Sequence, residues 1–366
     1  MSSRMIKPCV CIFALIVFLH GSASAALLQQ EEKTAKSAAS EDSQSDVQDS
    51  VRQLMEKSRS SIERFDLSKL PKDTPNWVYL HSLLYSDLST ASNKRKVDQR
   101  LAPEPGRAKP LFIARRNLPT PNPYGERFDI EQHRDQFLHI LSMADISVDE
   151  SLSVNGKKFV VGDLVKYSKF QVVDSDELSW TLSAYSHYSP TQKWNNKFGD
   201  EFSVARLVKQ LIEKENTACG DTHKFLALAR ASKVLGKNNR ALKAEVDGYL
   251  RKKIEILKDS QLRDGSFGLA KQMADQLRIS RTEFDSTTGI HYTGHSLEWL
   301  GVFLSRDELK AGWILDSIKY LDFAIEKSYS VEEALEFDSD KKCENFGDLA
   351  HALSALKIVT TKVENP

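Results

Sequence analysis

The stretch from Thr293 to Leu300, TGHSLEWL, carries the signature that decides the fold. In it His295 opens the pattern His-x-[Leu/Phe]-x-x-Leu, which recurs after His223 and after His351. On a helix of 3.6 residues per turn the two apolar positions share a face, and the first of them lies about 200° around from the histidine. The pattern therefore predicts leucines that pack between helices and a histidine that begins a second face. A glycine shortly upstream of each histidine is typical of a loop that turns into a helix.

Looser versions of the same pattern precede these three, at His81, Gln136 and Trp180. The six anchor positions are separated by 55, 44, 43, 72 and 56 residues. A spacing of this length fits one pair of antiparallel helices with its loops, as in helical repeat proteins. We therefore predict an all-α fold, an α/α toroid of about five or six helical hairpins, over residues 71–366.

Apolar residues at helical spacing predict individual helices in this region. They cover residues 202–213, 224–235, 309–325 and 349–359. The one good strand signal is 152–161, where Asn155-Gly156 predicts the turn of a short β-hairpin. Asp163 is then predicted to be the N-cap of a helix through residue 170.

The first 25 residues are predicted to be a secretory signal peptide. Arg4 and Lys7 precede an apolar run over residues 9–19, and Ala23-Ser24-Ala25 has the form of a cleavage site. The apolar run is shorter than the roughly 20 residues that a membrane-spanning helix needs. We therefore expect an exported protein, in the periplasm, the envelope or the exterior, with no membrane span in the mature chain.

Residues 26–70 are predicted to be a disordered tether with a short helix, because the first part of this segment has too few large apolar side chains to form a core. The whole chain has 51 basic and 51 acidic residues. This balance gives no electrostatic signature of a nucleic-acid partner. The expected partner is an unknown ligand or envelope component, such as a glycan or a peptide.

The segment Gln261 to Phe267 contains a further motif, Gln-x-x-x-Gly-x-Phe. It resembles the Gln-x-x-x-Gly-x-Trp turn of prenyltransferase and terpenoid-cyclase repeats, with Phe267 in place of Trp. The resemblance implies an α/α toroid. The chain also resembles a group of uncharacterised exported bacterial proteins, through pieces around Trp180, His223, His295 and His351. The resemblance implies no activity, because the acidic motif of the cyclases and the zinc pattern of protein prenyltransferases are absent from the sequence.

Two cysteines, Cys219 and Cys343, remain after the predicted signal peptide. In an oxidising compartment they can form a disulfide, and otherwise they are two buried thiols. Together with His223 and His351 they are also a candidate zinc site, because zinc accepts thiolate and imidazole ligands. The sequence leaves all three alternatives open, and zinc is the one cofactor that it suggests.

Catalytic candidates are His295, Glu298 and Tyr292, because a carboxylate beside an imidazole can form an acid–base pair. With Asn345, Arg263 or Arg281 to neutralise a substrate carboxylate, such a set suits a polysaccharide lyase. Each histidine is equally compatible with a helix cap or a satisfied core position.

The residues His223, His351, Trp299 and Asn345 are candidates to line the cavity of the toroid. The leading functional hypothesis is a non-enzymatic binding or scaffolding protein of the envelope or exterior. The alternative is an enzyme that degrades an extracellular polymer.

Overall fold

A computed structural model describes most of the chain after residue 47. The described residues are 48–66, 69–71, 74–88, 90, 93, 97, 110–115, 117–122, 131, 133–215, 217–267 and 286–364. The chain divides into two units, residues 1–53 and 54–366. In the first unit the described residues, 48–53, are helical. The predicted signal peptide and residues 26–47 of the predicted tether lie outside the described residues.

The second unit is mostly helical, as the sequence predicts, and it begins with helical residues 54–64. Its further helices are α1 (Asn76–Tyr85), α2 (Gln136–Met143), α3 (Val161–Gln171), α4 (Ser179–Tyr188), α5 (Val204–Glu213), α6 (Thr222–Asn238), α7 (Arg240–Ser260), α8 (Ser286–Phe303), α9 (Gly312–Ser328), α10 (Val331–Ala334) and α11 (Asp340–Glu364). Two 3₁₀ segments, Ala218–Asp221 and Glu308–Lys310, precede α6 and α9. Across the described part of the chain, no helix combines the length and hydrophobicity that crossing a membrane requires.

The six predicted anchor positions lie on six different helices, which we call the anchor helices. They are α1, α2, α4, α6, α8 and α11. Each anchor helix contacts the next one in chain order, and the last, α11, contacts the first, α1. The anchor residues are therefore carried by helices whose contacts form a closed cycle.

The anchor helices differ from the helices between them in how they are buried. Every residue of α1 is buried, as are most residues of α4. By contrast, α5 and α7 bury one stripe each, at Val204, Leu207, Val208 and Leu211 and at Leu242, Val246, Leu250 and Ile254. Side chains of Ser203 and Asn239 cap the N-termini of these two helices by accepting backbone N–H bonds. Helices buried on all sides alternate with amphipathic helices that cover them.

Two of the anchor histidines lie in mid-helix, where the sequence predicts a helix start. The helix α8 begins nine residues before His295, and α11 begins eleven residues before His351. The glycine upstream of His295 is needed for helix packing, because a Cβ on Gly294 would lie 2.8 Å from the backbone of Ala352. Gly294 therefore allows α8 and α11 to approach closely, and it does not mark a loop.

Three small antiparallel hairpins interrupt the helices of the described chain. They pair β1 (Phe112–Arg115) with β2 (Leu118–Pro121), β3 (Ser151–Val154) with β4 (Lys157–Val160), and β5 (Lys193–Asn195) with β6 (Glu201–Ser203). The predicted hairpin at 152–161 is confirmed, with Asn155 and Gly156 at positive φ.

The prediction of a single hairpin is wrong, because two prolines in β2 and the three-residue length of β5 and β6 weaken the strand signal. Asp163 is also not an N-cap, because α3 follows β4 directly. Its carboxylate lies in the first turn of α3 and accepts a hydrogen bond from the backbone of Val160 at 3.1 Å.

The turn from Gln261 to Phe267 ties the end of α7 to α9 and α8. The Gln261 amide donates hydrogen bonds to the carbonyl of Trp313 at 2.7 Å and to the Ser317 hydroxyl at 2.8 Å. Phe267 is fully buried, and its backbone N–H donates to Thr293 on α8. Each part of the motif thus makes a contact with a neighbouring helix.

Replacing Gly265 by alanine is expected to lower the free energy of unfolding by roughly 2–4 kcal/mol. Gly265 has φ +92°, and a Cβ there would lie 2.3 Å from the carbonyl oxygen of Asp316. The matched control is Gly156→Ala, at φ +74° with no atom within 4 Å of the added carbon, where only backbone strain of about 1 kcal/mol is expected. Urea unfolding of both variants measures the difference, and equal losses would contradict the role assigned to this turn.

Candidate functional site

Histidines from five of the anchor helices, and one from the loop before α2, lie together in the second unit. The protein has nine histidines. Seven of them form a continuous group of ring and carboxylate contacts, which we call the histidine cluster: His81, His133, His139, His223, His291, His295 and His351. Of the other two, His187 lies near the C-terminal end of α4 and His20 lies outside the described residues.

His223 lies at the centre of the cluster. Its ring centroid is 5.1 Å from that of His133, 5.1 Å from that of His295 and 5.7 Å from that of His351. His295 and His351 are closer still, with centroids 3.8 Å apart. Trp180 closes the group on another side, 4.3 Å from the ring of His223.

A buried carboxylate joins two of these histidines on α8 and α11. The Nδ1–H of His351 donates to Oε2 of Glu298 at 2.8 Å. The Nδ1 atom of His295 lies 3.6 Å from the same oxygen, and it has no hydrogen-bond partner among the described residues. The side chains of Glu298 and His295 are each only 2% exposed. One carboxylate oxygen therefore accepts a hydrogen bond from His351 and lies near His295, which it does not bond, in a space closed to bulk water.

A second carboxylate lies on the other side of His223. The Nδ1–H of His133 donates to Oε2 of Glu177 at 2.7 Å, and Nδ1 of His223 lies 3.8 Å from Oε1. Burial opposes ionisation of Glu177, but its contacts with His133 and His223 lower the pKa of this carboxyl well below its usual range. The side chains of His133 and Glu177 remain about a quarter exposed. This side of the cluster is therefore the one open to solvent.

Burial favours the neutral form of five of the imidazoles. It lowers the pKa of His81 to about 3, and it also lowers the pKa of His139, His223, His295 and His351, with repulsion from neighbouring histidines adding to the effect. The tautomer of His81 follows from its bonds. Its Nδ1–H donates to the carbonyl of Trp77 at 2.7 Å, so Nε2 accepts from the amide of Gln136 at 3.2 Å.

Several ring nitrogens in the cluster have no hydrogen-bond partner among the described residues. They are both nitrogens of His223, Nδ1 of His295 and Nε2 of His139. Each buried nitrogen without a partner costs about 1–3 kcal/mol relative to water. Neutral imidazoles with free lone pairs beside ionised carboxylates are the donor set that divalent transition metals prefer. Three groups have all their donor atoms within 4.8 Å of one another: His133, Glu177 and His223; Cys219, His223 and His295; and His295, Glu298 and His351.

A strained turn brings Cys219 to the cluster. Cys219, Gly220 and Asp221 have positive φ values of 48°, 62° and 69°, and two of them are not glycine. Asp221 accepts hydrogen bonds from the backbone and hydroxyl of Thr217, both at 2.7 Å, which stabilise the turn. Burial, with nearby carboxylates, raises the pKa of the Cys219 thiol to about 12. The thiol is therefore protonated at neutral pH unless a cation binds it.

The sequence leaves a disulfide, two unpaired thiols and a four-residue zinc site open for the two cysteines, and the structure has the unpaired thiols. Cys219 and Cys343 are free thiols in the structure. Cys343 is in the first turn of α11, eight residues and roughly 12 Å along the helix from His351. Among the described residues no donor group contains Cys343, whereas Cys219 and His223 do share one.

Three other predicted residues have contacts of different kinds. Trp299 is buried against the ring of Phe225, at 5.5 Å, and is part of the core. The backbone carbonyl of Asn345 accepts a hydrogen bond from Tyr329. Tyr292 is half-buried beside His291, with its pKa raised by burial and by Cys219 and Asp348. Of these three, Tyr292 alone is placed next to the cluster.

Sequence reasoning did not assign a site role to His133, His139, His291 or Glu177. A signal for three of them was present in their spacing. His139 lies one turn after the anchor Gln136, His291 one turn before His295, and Glu177 three residues before Trp180. Residues three or four apart on a helix share a face, so His139 and His291 extend the anchor face, whereas Glu177 lies two residues before α4 begins.

Comparison with known proteins adds no assignment. No protein-family model matches the chain, and no curated protein or solved structure shows significant similarity to it. The resemblance to prenyltransferase and terpenoid-cyclase repeats therefore stays a prediction.

Replacing His81 by glutamine is expected to reduce the loss of stability in acid. Since the folded-state pKa of His81, about 3, lies below the unfolded value of 6.5, its contribution is fully present above pH 6.5 and is lost as the pH falls below it. Between pH 7.5 and pH 5 this loss is about 2 kcal/mol for one histidine.

Urea unfolding at both pH values, on the original protein and His81→Gln, measures the difference. The carboxylates titrate in both proteins and cancel. The same pH dependence in both would show that His81 is not held neutral by the fold.

Proposed function

We propose that this protein binds a divalent transition-metal ion through His223, with His133 and Glu177 as the other protein ligands. The single observation that carries the proposal is His223: its side chain is 2% exposed, and neither of its ring nitrogens has a hydrogen-bond partner among the described residues. A histidine that only stabilised the core would be expected to satisfy at least one nitrogen.

The charge of the site supports a cation. Contacts with His133 and His223 lower the pKa of Glu177 well below its usual range, which favours the ionised carboxylate, and burial lowers the pKa of His223, which favours its neutral form. A buried negative charge next to neutral lone pairs is stabilised when a positive ion binds between them. Two histidines and a glutamate are a known ligand set for zinc and, with open positions, for non-haem iron.

The exposure of the site supports entry of the ion. His133 and Glu177 are partly open to solvent, whereas His295, Glu298 and His351 are almost fully buried. An ion can therefore reach the group that contains Glu177 first. The neighbouring hydrogen bonds, from His351 to Glu298 and between His139 and Ser183, keep the surrounding rings in place.

We further infer the architecture as an α/α toroid, with the six anchor helices as its inner ring. The closed cycle of contacts among these helices supports this, and so does the amphipathic character of the helices between them. Export of the protein, to the envelope or the exterior, remains our proposal from the first 25 residues. In that setting a metal-binding or scaffolding role toward a glycan or peptide agrees with the near-neutral charge of the chain.

A second candidate function is an enzyme that acts on an extracellular polymer. The observation that favours it is the proximity of His295 and Glu298 to the half-buried Tyr292 and His291 at one border of the cluster. The raised pKa of Tyr292 keeps its hydroxyl protonated, so Tyr292 would act as an acid in such a reaction.

The metal proposal is tested by loading the purified protein with zinc, removing loosely bound metal with a weak chelator and measuring the zinc that remains. We expect one equivalent of zinc. His223→Gln is expected to weaken zinc binding by ~100-fold or more. The substitution removes a ligand, and even the loss of an outer-shell partner weakens metal binding about 10–100-fold. A cobalt titration reports the coordination geometry of the bound ion, since tetrahedral cobalt absorbs strongly in the visible range.

The matched control is His187→Gln, which removes a histidine outside the donor groups of the described residues. It should bind zinc like the original protein. Zinc retained equally by both variants, or no retention by the original protein, would contradict the proposal. Circular dichroism of each variant, compared with that of the original protein, shows whether a variant that loses zinc binding is still folded.

A further inference from the structure

A separate cavity of about 450 Å³ lies further along the same six helices. Each anchor helix contributes residues to its lining, and these residues follow the histidine cluster in the chain. On α6, for example, Arg230 lies seven residues after His223, about 10 Å along the helix axis. The cavity and the histidine cluster are therefore two different places on the same set of helices.

Positive charge distinguishes this cavity. Arg230, Lys233, Lys357 and Lys362 line it, together with His187. No aspartate or glutamate is among its lining residues. The nearest carboxylates lie outside the lining: Asp145 is 3.7 Å from His187, and the charges of Asp87 and Glu308 reach Lys357 and Lys362. The excess of positive charge on the lining itself attracts an anion.

Helix geometry explains part of this charge. Cations near helix C-termini are favoured, because they neutralise the partial negative charge of the last carbonyls. Lys357 donates to the carbonyl of Ser86 at 2.6 Å, and Lys362 donates to the carbonyls of Gly301 and Val302 at 3.0 and 3.1 Å. These two lysines thus have a structural role.

The other two cations retain free hydrogen-bond donors. Arg230 bonds to the carbonyl and hydroxyl of Ser142, but its buried Nε has no partner within the described chain. Lys233 is exposed at the cavity and makes no hydrogen bond or ion pair with any residue that the structure describes. Capping of helix ends does not account for either donor.

Mutual repulsion acts between these cations, and Glu308 compensates only part of it at Lys362. Burial and then repulsion from Lys233 lower the pKa of Lys362 to about 8. Burial and then repulsion from Arg230 lower the pKa of Lys233. Burial lowers the pKa of Arg230 to about 10. An anion bound among these groups would relieve the repulsion.

The remaining wall of the cavity is apolar. Leu83 and Leu84 from α1, Ile140 from α2 and Val302 from α8 face the same space. Small-molecule sites combine such a wall with a few polar groups that orient the ligand. The ligand that fits is therefore an anion with an apolar body.

We propose that this cavity binds a small amphiphilic anion, with its carboxylate or phosphate headgroup on Arg230 and Lys233 and its apolar body against the leucine wall. This site does not depend on the proposed metal centre. It is formed by different residues, and its ligand has the opposite charge.

The test uses isothermal titration calorimetry of the full protein with octanoate, octyl phosphate and octan-1-ol. We expect at least one of the two anions to bind roughly tenfold or more tightly than the alcohol, a difference of about 1.4 kcal/mol. Whichever anion binds more tightly identifies the headgroup. Equal binding of all three probes, or binding of none, would overturn the proposal.

Two variants locate the site. Lys233→Gln is expected to weaken anion binding about tenfold, whereas Lys252→Gln, which removes the same charge from an exposed position on α7, should change it less than about twofold. Thr361→Glu places a negative charge on an exposed lining residue and should weaken anion binding without altering the core. If Lys233→Gln, like Lys252→Gln, binds the anion with the affinity of the original protein, then the anion binds elsewhere and the assignment is overturned.

Discussion

The need to keep buried imidazoles uncharged governs the centre of this structure. Seven histidines lie together, and most of their side chains are buried away from water. A protonated ring there would contact other rings and little solvent. Burial meets this need, and fixed acceptors satisfy the ring N–H groups: Trp77 for His81, Ser183 for His139 and Glu298 for His351. His223 is the exception, because it has ring neighbours on several sides and no hydrogen-bond partner among the described residues. A cation is the simplest species that would complete its environment.

Polarity also changes along the anchor helices. Their earlier portions bring together histidines and the carboxylates of Glu177 and Glu298, and their later portions bring together cations around a cavity. This separation agrees with the helix dipole in the later portions, where lysines bond to terminal carbonyls. It also means that the two ends suit ligands of opposite charge. A cation suits the histidine end and an anion suits the other end, so binding at one end would not compete with binding at the other.

Backbone strain is concentrated where the chain enters α6. Three successive residues lie in the left-handed region, and the two that are not glycine, Cys219 and Asp221, cost of order 1–3 kcal/mol each. The turn is stabilised by Asp221 and by the ion pair of Lys224 with Asp221 at 3.1 Å. Its effect is to bring the Cys219 thiol within reach of His223 and His295. An unstrained helix start would leave the same residues in sequence but would not aim the sulfur at the rings.

The sequence alone determined the helical class, the six anchor helices and the hairpin at Asn155-Gly156, because periodicity and turn chemistry are local properties. It also singled out His223, His295, His351 and Glu298. The tertiary structure decided which of these meet. Cys343 is in no donor group of the described residues although it is close to His351 in sequence, and His133 reaches the cluster from a loop with no pattern of its own. It also decided that Gly294 allows two helices to pack closely. Packing between distant segments sets these relationships, and no single segment encodes the position of its partner.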